Sequence, residues 1–225
     1  MTLTGALVNG GVIAVAGIIG TLGGKLMPEK MKETVLSASA LVSIGIGIEG
    51  AIGSANQLIP ILSLILGTVI GELLHIEEGV NRIGDGLQRR FSKLGRITEG
   101  FVTATLVFAV GAMAVMGGLK SGLQHDHSIL FAKSIIDGAA ALAFAGSMGI
   151  GVAFAGLSVF VVEGGIALLA SLLASLLTEA VITEITVTGS LLIIGISLNV
   201  LGVTKLRVLN MTPALLLPIL LCQFM

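Results

Sequence analysis

What constrains this chain most is a succession of apolar runs long enough to cross a lipid bilayer. From Thr2 to Gly24, from Gly100 to Leu119 and from Ile185 to Thr204 no ionisable side chain interrupts the sequence. About 20 helical residues span a hydrocarbon layer roughly 30 Å thick, so runs of this length read as membrane helices. Only 11% of residues are charged and mean hydropathy is +1.08, whereas soluble domains carry about 25% charge. The fold class is therefore all-α, a polytopic helical membrane protein.

Eight spans are expected, near 4–24, 34–53, 57–74, 99–119, 137–157, 160–178, 184–203 and 210–225, in a single transmembrane domain over 1–225. The last is short and contains Pro213 and Pro218, so it reads as a full crossing or as a broken, partly inserted helix. No basic residue precedes the first run and no small-residue cleavage site closes it, so it is expected to stay as a helix. The single Cys222 excludes an intrachain disulfide and a cysteine metal cluster. Trp and Tyr are absent, so the usual aromatic belt at the interfaces is missing.

Basic residues set the orientation. Lys25, Lys30, Lys32, Arg82, Arg89, Arg90, Lys93, Arg96, Lys205 and Arg207 fall on one side of an alternating topology, Lys120 and Lys133 on the other. The positive-inside rule makes the first group cytoplasmic and the N-terminus external, in a bacterial inner membrane, with loops 25–33 and 75–98 inside. Within the second loop, Ile76, Val80, Ile83, Leu87, Phe91 and Leu94 recur at helical spacing among charges. That pattern predicts an amphipathic helix over 76–97 in the cytoplasmic interface.

Two segments repeat. A shift of 104 aligns Glu33 with Asp137, Ser43 with Ser147, Gly45 with Gly149 and Gly47 with Gly151. A shift of 85 aligns Thr98–Lys120 with Thr183–Lys205, with 8 of 23 positions identical. The difference of 19 residues matches the amphipathic helix, which the second copy lacks. Spans two to four (33–119) and five to seven (137–205) thus read as two copies of a three-helix unit, flanked by a first and a last helix. An odd number of crossings inverts the second copy, an organisation common in secondary transporters.

"EGFVTATLVFAVGAMAVMGGL" (Glu99–Leu119), "DHSILFAKSIIDG" (Asp126–Gly138), "MGIGVAF" (Met148–Phe154), "GELLHIEE" (Gly71–Glu78) and "LNMTPALLLP" (Leu209–Pro218) resemble domain-of-unknown-function family 554. The resemblance implies a bacterial integral membrane protein, in a family some of whose members are labelled transport proteins. It implies no activity, substrate or catalytic residue.

Candidate pathway residues come from polar groups in apolar surroundings. A carboxylate within a span costs about 2.5–3.5 kcal/mol on insertion scales. Glu49 reads either as a proton or cation site beside Gly45 and Gly47, or as a side chain snorkelling from a helix end. Glu33, Glu99, Asp137 and Glu184 stand at equivalent helix starts, where the macrodipole favours negative charge. Asp137 is expected deeper, paired with Lys133 four residues earlier as charge compensation or as a gate. Ser43, Ser147, Thr103, Thr105, Thr188, Ser190 and Asn199 are candidates to ring a midplane site, or else to bond locally to helix carbonyls. The glycine pairs Gly45/Gly47 and Gly149/Gly151 mark either close packing or unwound points; Gly20/Gly24 and Gly67/Gly71 are spaced for helix contact. His125-Asp126-His127 is too local to converge on a metal, and no metal or cofactor is expected. Nothing points to nucleic acid or to enzymatic catalysis.

The sequence reads best as a secondary transporter or channel for a small solute or ion, a homodimer in the bilayer. The alternative is a non-transporting scaffold that recruits a partner through 76–97.

Overall fold

The computed structural model describes residues 2–26, 28–79, 97–110 and 112–224, and among them every regular element is helical. The order is α1 (Thr4–Gly24), α2 (Glu29–Ala51), α3 (Leu58–Leu74), α4 (Ile97–Ala109), α5 (Ala112–Gln124), α6 (Ser128–Met148), α7 (Gly151–Leu168), α8 (Ala170–Leu173) and α9 (Glu179–Val200). A broken C-terminal segment follows: α10 (Val208–Met211), a 3-10 turn (Thr212–Leu215) and α11 (Leu217–Leu221). The amphipathic helix expected over 76–97 lies mostly outside the described residues.

Among the described residues, five helices (α1, α2, α6, α7 and α9) contain stretches long and apolar enough to cross a membrane, and the α4–α5 pair makes a sixth if its two halves form one span. Two shorter apolar segments are Leu58–Leu74 and Val208–Leu221. Broad apolar exposure fits lipid as the solvent: Leu7, Ile18, Leu73, Ile135 and Leu157 all face outwards.

Glycines set which helices touch. A Cβ at Gly20 or Gly24 of α1 would overlap the carbonyl oxygens of Leu142 and Gly146, and one at Gly5 would meet Leu130, so α1 runs parallel to α6. Gly10 against Gly156 and Gly17 against Ala153 make α1 antiparallel to α7. Gly67 lies on Ala214 and Gly71 on Asn210, so α3 is antiparallel to the C-terminal segment. Gly47 on Ile194 and Gly50 on Ser190 set α2 antiparallel to α9. Gly100 on Met148 and Gly118 on Ile166 set α4–α5 parallel to α7. Without a hydrophobic drive between helices in lipid, such close approach supplies the van der Waals contact that holds a bundle. Gly20/Gly24 and Gly67/Gly71, spaced for helix contact, thus make their contacts within one chain.

Several spans differ from the sequence reading: the sixth, expected at 160–178, is the helix Gly151–Leu168, and the seventh, expected at 184–203, begins at Glu179. The fifth span begins at Ser128 rather than 137, because Lys133 and Asp137 are buried inside the helix instead of marking its end. Ser147–Gly151 therefore straddles the α6–α7 junction, where Gly149 adopts φ 80 and its N–H bonds Ala145 O at 2.9 Å. Its proposed counterpart, Ser43–Gly47, lies inside α2. The span expected at 99–119 is broken: α4 and the helix after it meet at 62°. The aligned residues of Thr183–Lys205 show no such bend, lying largely in the single helix α9. These differences separate the two candidate copies at the points where the sequence match had joined them.

Candidate functional site

The break at the end of α4 frees backbone carbonyls that a continuous helix would satisfy. In lipid such backbone persists only where protein groups meet it. Lys133 of α6 does so: its Nζ donates to the Phe108 carbonyl at 2.6 Å. The same ammonium bonds Asp137 Oδ2, one turn along α6, and lies 3.7 Å from Glu163 Oε1 of α7. Asn9 of α1 closes the cluster, its Nδ2 donating to Asp137 Oδ2 at 3.0 Å and to Glu163 Oε1 at 2.9 Å. Asn9 and Glu163 are 0% exposed, Lys133 and Asp137 each 6%.

Four helices thus bring one ammonium, two carboxylates, one amide and one broken-helix carbonyl to a point. Formal charge does not balance, two negative groups facing one positive. Isolated charge in an apolar interior is costly, so such clusters are retained where they serve a purpose. Asn9 Oδ1 and Glu163 Oε2 are buried with no hydrogen-bond partner among the described residues.

The cluster is closed above and below by apolar side chains. One turn outward along α6, fully buried Leu130 presses on Gly5 of α1 and Gly117 of α5. Further out, Ser121 Oγ donates to Thr2 O at 3.0 Å and lies 2.6 Å from His127 Nδ1, joining the N-terminus to the α5–α6 loop. On the other side, Phe108 and Phe144 stack with ring centroids 6.0 Å apart, over Met148 and Val152. A largely apolar cavity of about 480 Å³ fills the bend, lined by Thr105, Ala109, Val110, Val162 and Ile166 among others. It borders α7 at the residue preceding Glu163. Thr105 Oγ1 is buried there without a hydrogen-bond partner among the described residues, as is Thr103 Oγ1, which does not line the cavity.

Of the residues expected to form a site, Lys133 and Asp137 meet and the others do not join them. Glu49 is exposed near the end of α2. Asn199 caps the end of α9, accepting from Thr204 Oγ1 at 2.7 Å and Leu206 N at 2.8 Å and donating to Leu206 O at 2.7 Å. Thr188 donates to Glu184 O at 2.8 Å and Ser147 to Phe144 O at 3.1 Å, both local helix bonds. Ser43 is buried in α2, and Ser190 presses on Gly50. Gly45 is open to the surface, Gly47 packs on α9, and Gly151 packs on Ile97. Glu184 is not at a helix start: it sits inside α9, buried, and accepts from Ser54 Oγ at 3.0 and 2.9 Å and Ala55 N at 3.1 Å. Asn9 and Glu163 went unread in the sequence, although each interrupts an apolar run.

At the opposite end, Arg207 bonds Glu72 Oε2 at 2.7 Å and also bonds Glu78, with Glu77 Oε1 at 3.8 Å. Buried Asn210 accepts from Glu77 N at 2.7 Å, fastening the chain after α3 to α10. Burial raises the Glu77 carboxyl above its ordinary range. A cavity of about 560 Å³ beside it is lined by Glu77, Thr98, Glu99 and Asn199, with apolar residues of α4, α9 and α10. His125 and His127 do not converge: Asp126 Oδ1 accepts from Ser128 N at 3.0 Å, a bond that lowers its carboxyl below the usual range.

These helices, apolar outside and holding a polar cluster between them, define an integral membrane protein with a buried polar site. The family model described as "Protein of unknown function (DUF554)" matches residues 4–223, and the chain belongs to that family. It is 29% identical over 218 residues to "Uncharacterized membrane protein YdfK" of Bacillus subtilis (strain 168), covering 95% of this chain and 93% of that one. It is 30% identical over 219 residues to "Uncharacterized protein YqgA" of Escherichia coli (strain K12), with the same coverage. No solved structure matches.

Proposed function

We propose that this protein is a secondary transporter for a small solute or ion, working at the Asn9–Lys133–Asp137–Glu163 cluster beside the broken fourth span. The observation that carries the reading is the Lys133 ammonium, shared between the Phe108 carbonyl of the break and two carboxylates. Discontinuous helices whose ends meet charged groups in mid-membrane are a recurring device of transport sites. A static structural cluster would serve as well with balanced charge and no cavity at the bend.

Eight crossings in a bacterial inner membrane, with the N-terminus outside, are part of this reading. Support comes from the helix directions, which are those of alternate passes, and from the ten-to-two division of basic residues. The match of Thr98–Lys120 with Thr183–Lys205 supports two inverted units of common descent, diverged at the bend and at the α6–α7 junction. A homodimer would add bulk around the pathway.

The testing experiment is a thermal-shift screen of purified protein against ions and metabolites, since a ligand that binds the folded state raises its melting temperature. A stabilising ligand whose effect is lost in Asp137→Asn supports the reading. Stabilisation unaltered by substitution of all four residues removes the cluster from it.

A further inference from the structure

The donors of the buried cluster face its oxygen atoms. Both N–H groups of Asn9 Nδ2 go to carboxylates. The Lys133 ammonium donates to Phe108 O and Asp137 Oδ2, and Glu163 Oε1 lies 3.7 Å from it as an ion pair. The buried atoms left over, Asn9 Oδ1 and Glu163 Oε2, are both acceptors. They belong to the amide and carboxyl groups already joined by the 2.9 Å bond from Asn9 Nδ2 to Glu163 Oε1. An amide and a carboxylic acid pair through two bonds, amide N–H to one carboxyl oxygen and carboxyl O–H to the amide oxygen. One such bond is present, and the two atoms that lack a partner are those the other would join.

We propose that the cluster binds one proton, at Glu163 Oε2, where it donates to Asn9 Oδ1 and completes an acid–amide pair. Uptake forms one O–H bond and breaks none within the protein; the proton comes from water on the side to which the site is open. It brings one ammonium and two carboxyl groups to zero net charge. Release restores an excess negative charge that draws Lys133 towards Glu163 and away from the Phe108 carbonyl, linking protonation to the helix break. Proton binding at Glu163 thus names the coupling ion of the transport reading and rests on it.

Few charges face Glu163. On α6 they are Lys133 and Asp137, and α1 carries none. On α4 the acid is Glu99, in the first turn, level with the start of α7 near Met148 and Val152. On α5 the charge is Lys120, which acts on Asp126 of the following loop. His127, at the start of α6, is held by Ser121. A sodium ion fits less well, since it prefers several oxygen ligands and the Phe108 carbonyl already accepts from Lys133. No group of three or more acidic, histidine or cysteine side chains suited to a metal occurs among the described residues.

Infrared spectra of the full chain in liposomes test this through the carbonyl stretch of a protonated carboxylic acid. The expected result is such a band at neutral pH without sodium, fading reversibly as pH rises, lost in Glu163→Gln and kept in Asp137→Asn. In Asn9→Leu the band should move to higher wavenumber, because the acid loses its amide partner; this variant decides the matter should Glu163→Gln not fold. Absence of the band at neutral pH, its survival in Glu163→Gln, or no movement in Asn9→Leu would overturn the proposal. So would sodium, at fixed pH, raising the melting temperature of wild type but not of Glu163→Gln, an outcome that leaves the transport reading standing. A Glu163-dependent band in protein that moves no solute would instead keep the proton site and remove the transport reading.

Discussion

Lys133 Nζ and the Phe108 carbonyl lie 2.6 Å apart across two helices, and that bond ties the only charge cluster at the heart of the described bundle to the bend between α4 and α5. Removing the ammonium should therefore unsettle both. Lys133→Met leaves the buried Asp137 carboxylate without its countercharge, and breaking a buried pair costs about 3–5 kcal/mol. A double variant, Lys133→Met with Asp137→Leu, should recover part of that loss. Denaturant unfolding in detergent measures both; a double variant no better than the single one would argue against a direct pairing.

Gly24 lets α1 lie on the backbone of α6, where a Cβ would overlap the Gly146 carbonyl. Gly24→Ala is expected to destabilise by about 1–3 kcal/mol, the usual cost of overpacking. Gly23→Ala should be neutral or slightly stabilising, because a Cβ there meets nothing within 4 Å. The contrast between neighbouring glycines in melting temperature checks the packing assignment.

Leu130 closes the cluster on the side of the α5–α6 loop, seated between Gly5 and Gly117. Leu130→Ala opens a cavity and should cost about 2–5 kcal/mol. If the cluster exchanges with the outer face past this side chain, liposomes carrying the variant will leak protons faster than wild type, as read by an entrapped pH dye.

Glu184 receives the Ser54 hydroxyl and the Ala55 amide at the turn into α3. Glu184→Gln replaces an acceptor by a donor facing donors, for a loss of about 1–3 kcal/mol. The screen's ligand should still bind this variant, since Glu184 lies apart from the cluster.

Much of this was legible from residues alone, and the misses have physical causes. Long apolar runs gave the helical class, and the spacing of Gly20/Gly24 and Gly67/Gly71 marked contact faces without naming their partners, because in lipid apolar length and close approach leave little choice of structure. The i, i+4 step from Lys133 to Asp137 foretold their pairing. It also hid the start of α6, since the span was begun at Asp137 although Lys133 and Asp137 are both buried within a helix that starts at Ser128. Glu163 obeys the rule that singled out Glu49, and is the better example of it: Glu49 is exposed near a helix end, whereas Glu163 is fully buried. Asn9 carries no charge, and one amide in a run of alanine, valine and glycine gives a weak signal. The bend after Ala109 was illegible because no proline marks it in the run from Gly100 to Leu119.

Transport measured in proteoliposomes tests the central claim most directly. With the ligand found by thermal shift placed outside and a pH gradient imposed, wild-type protein should drive its uptake. Asp137→Asn and Glu163→Gln, reconstituted to the same density, should abolish it while Glu49→Gln does not. Uptake at the wild-type rate in both cluster variants would contradict the account.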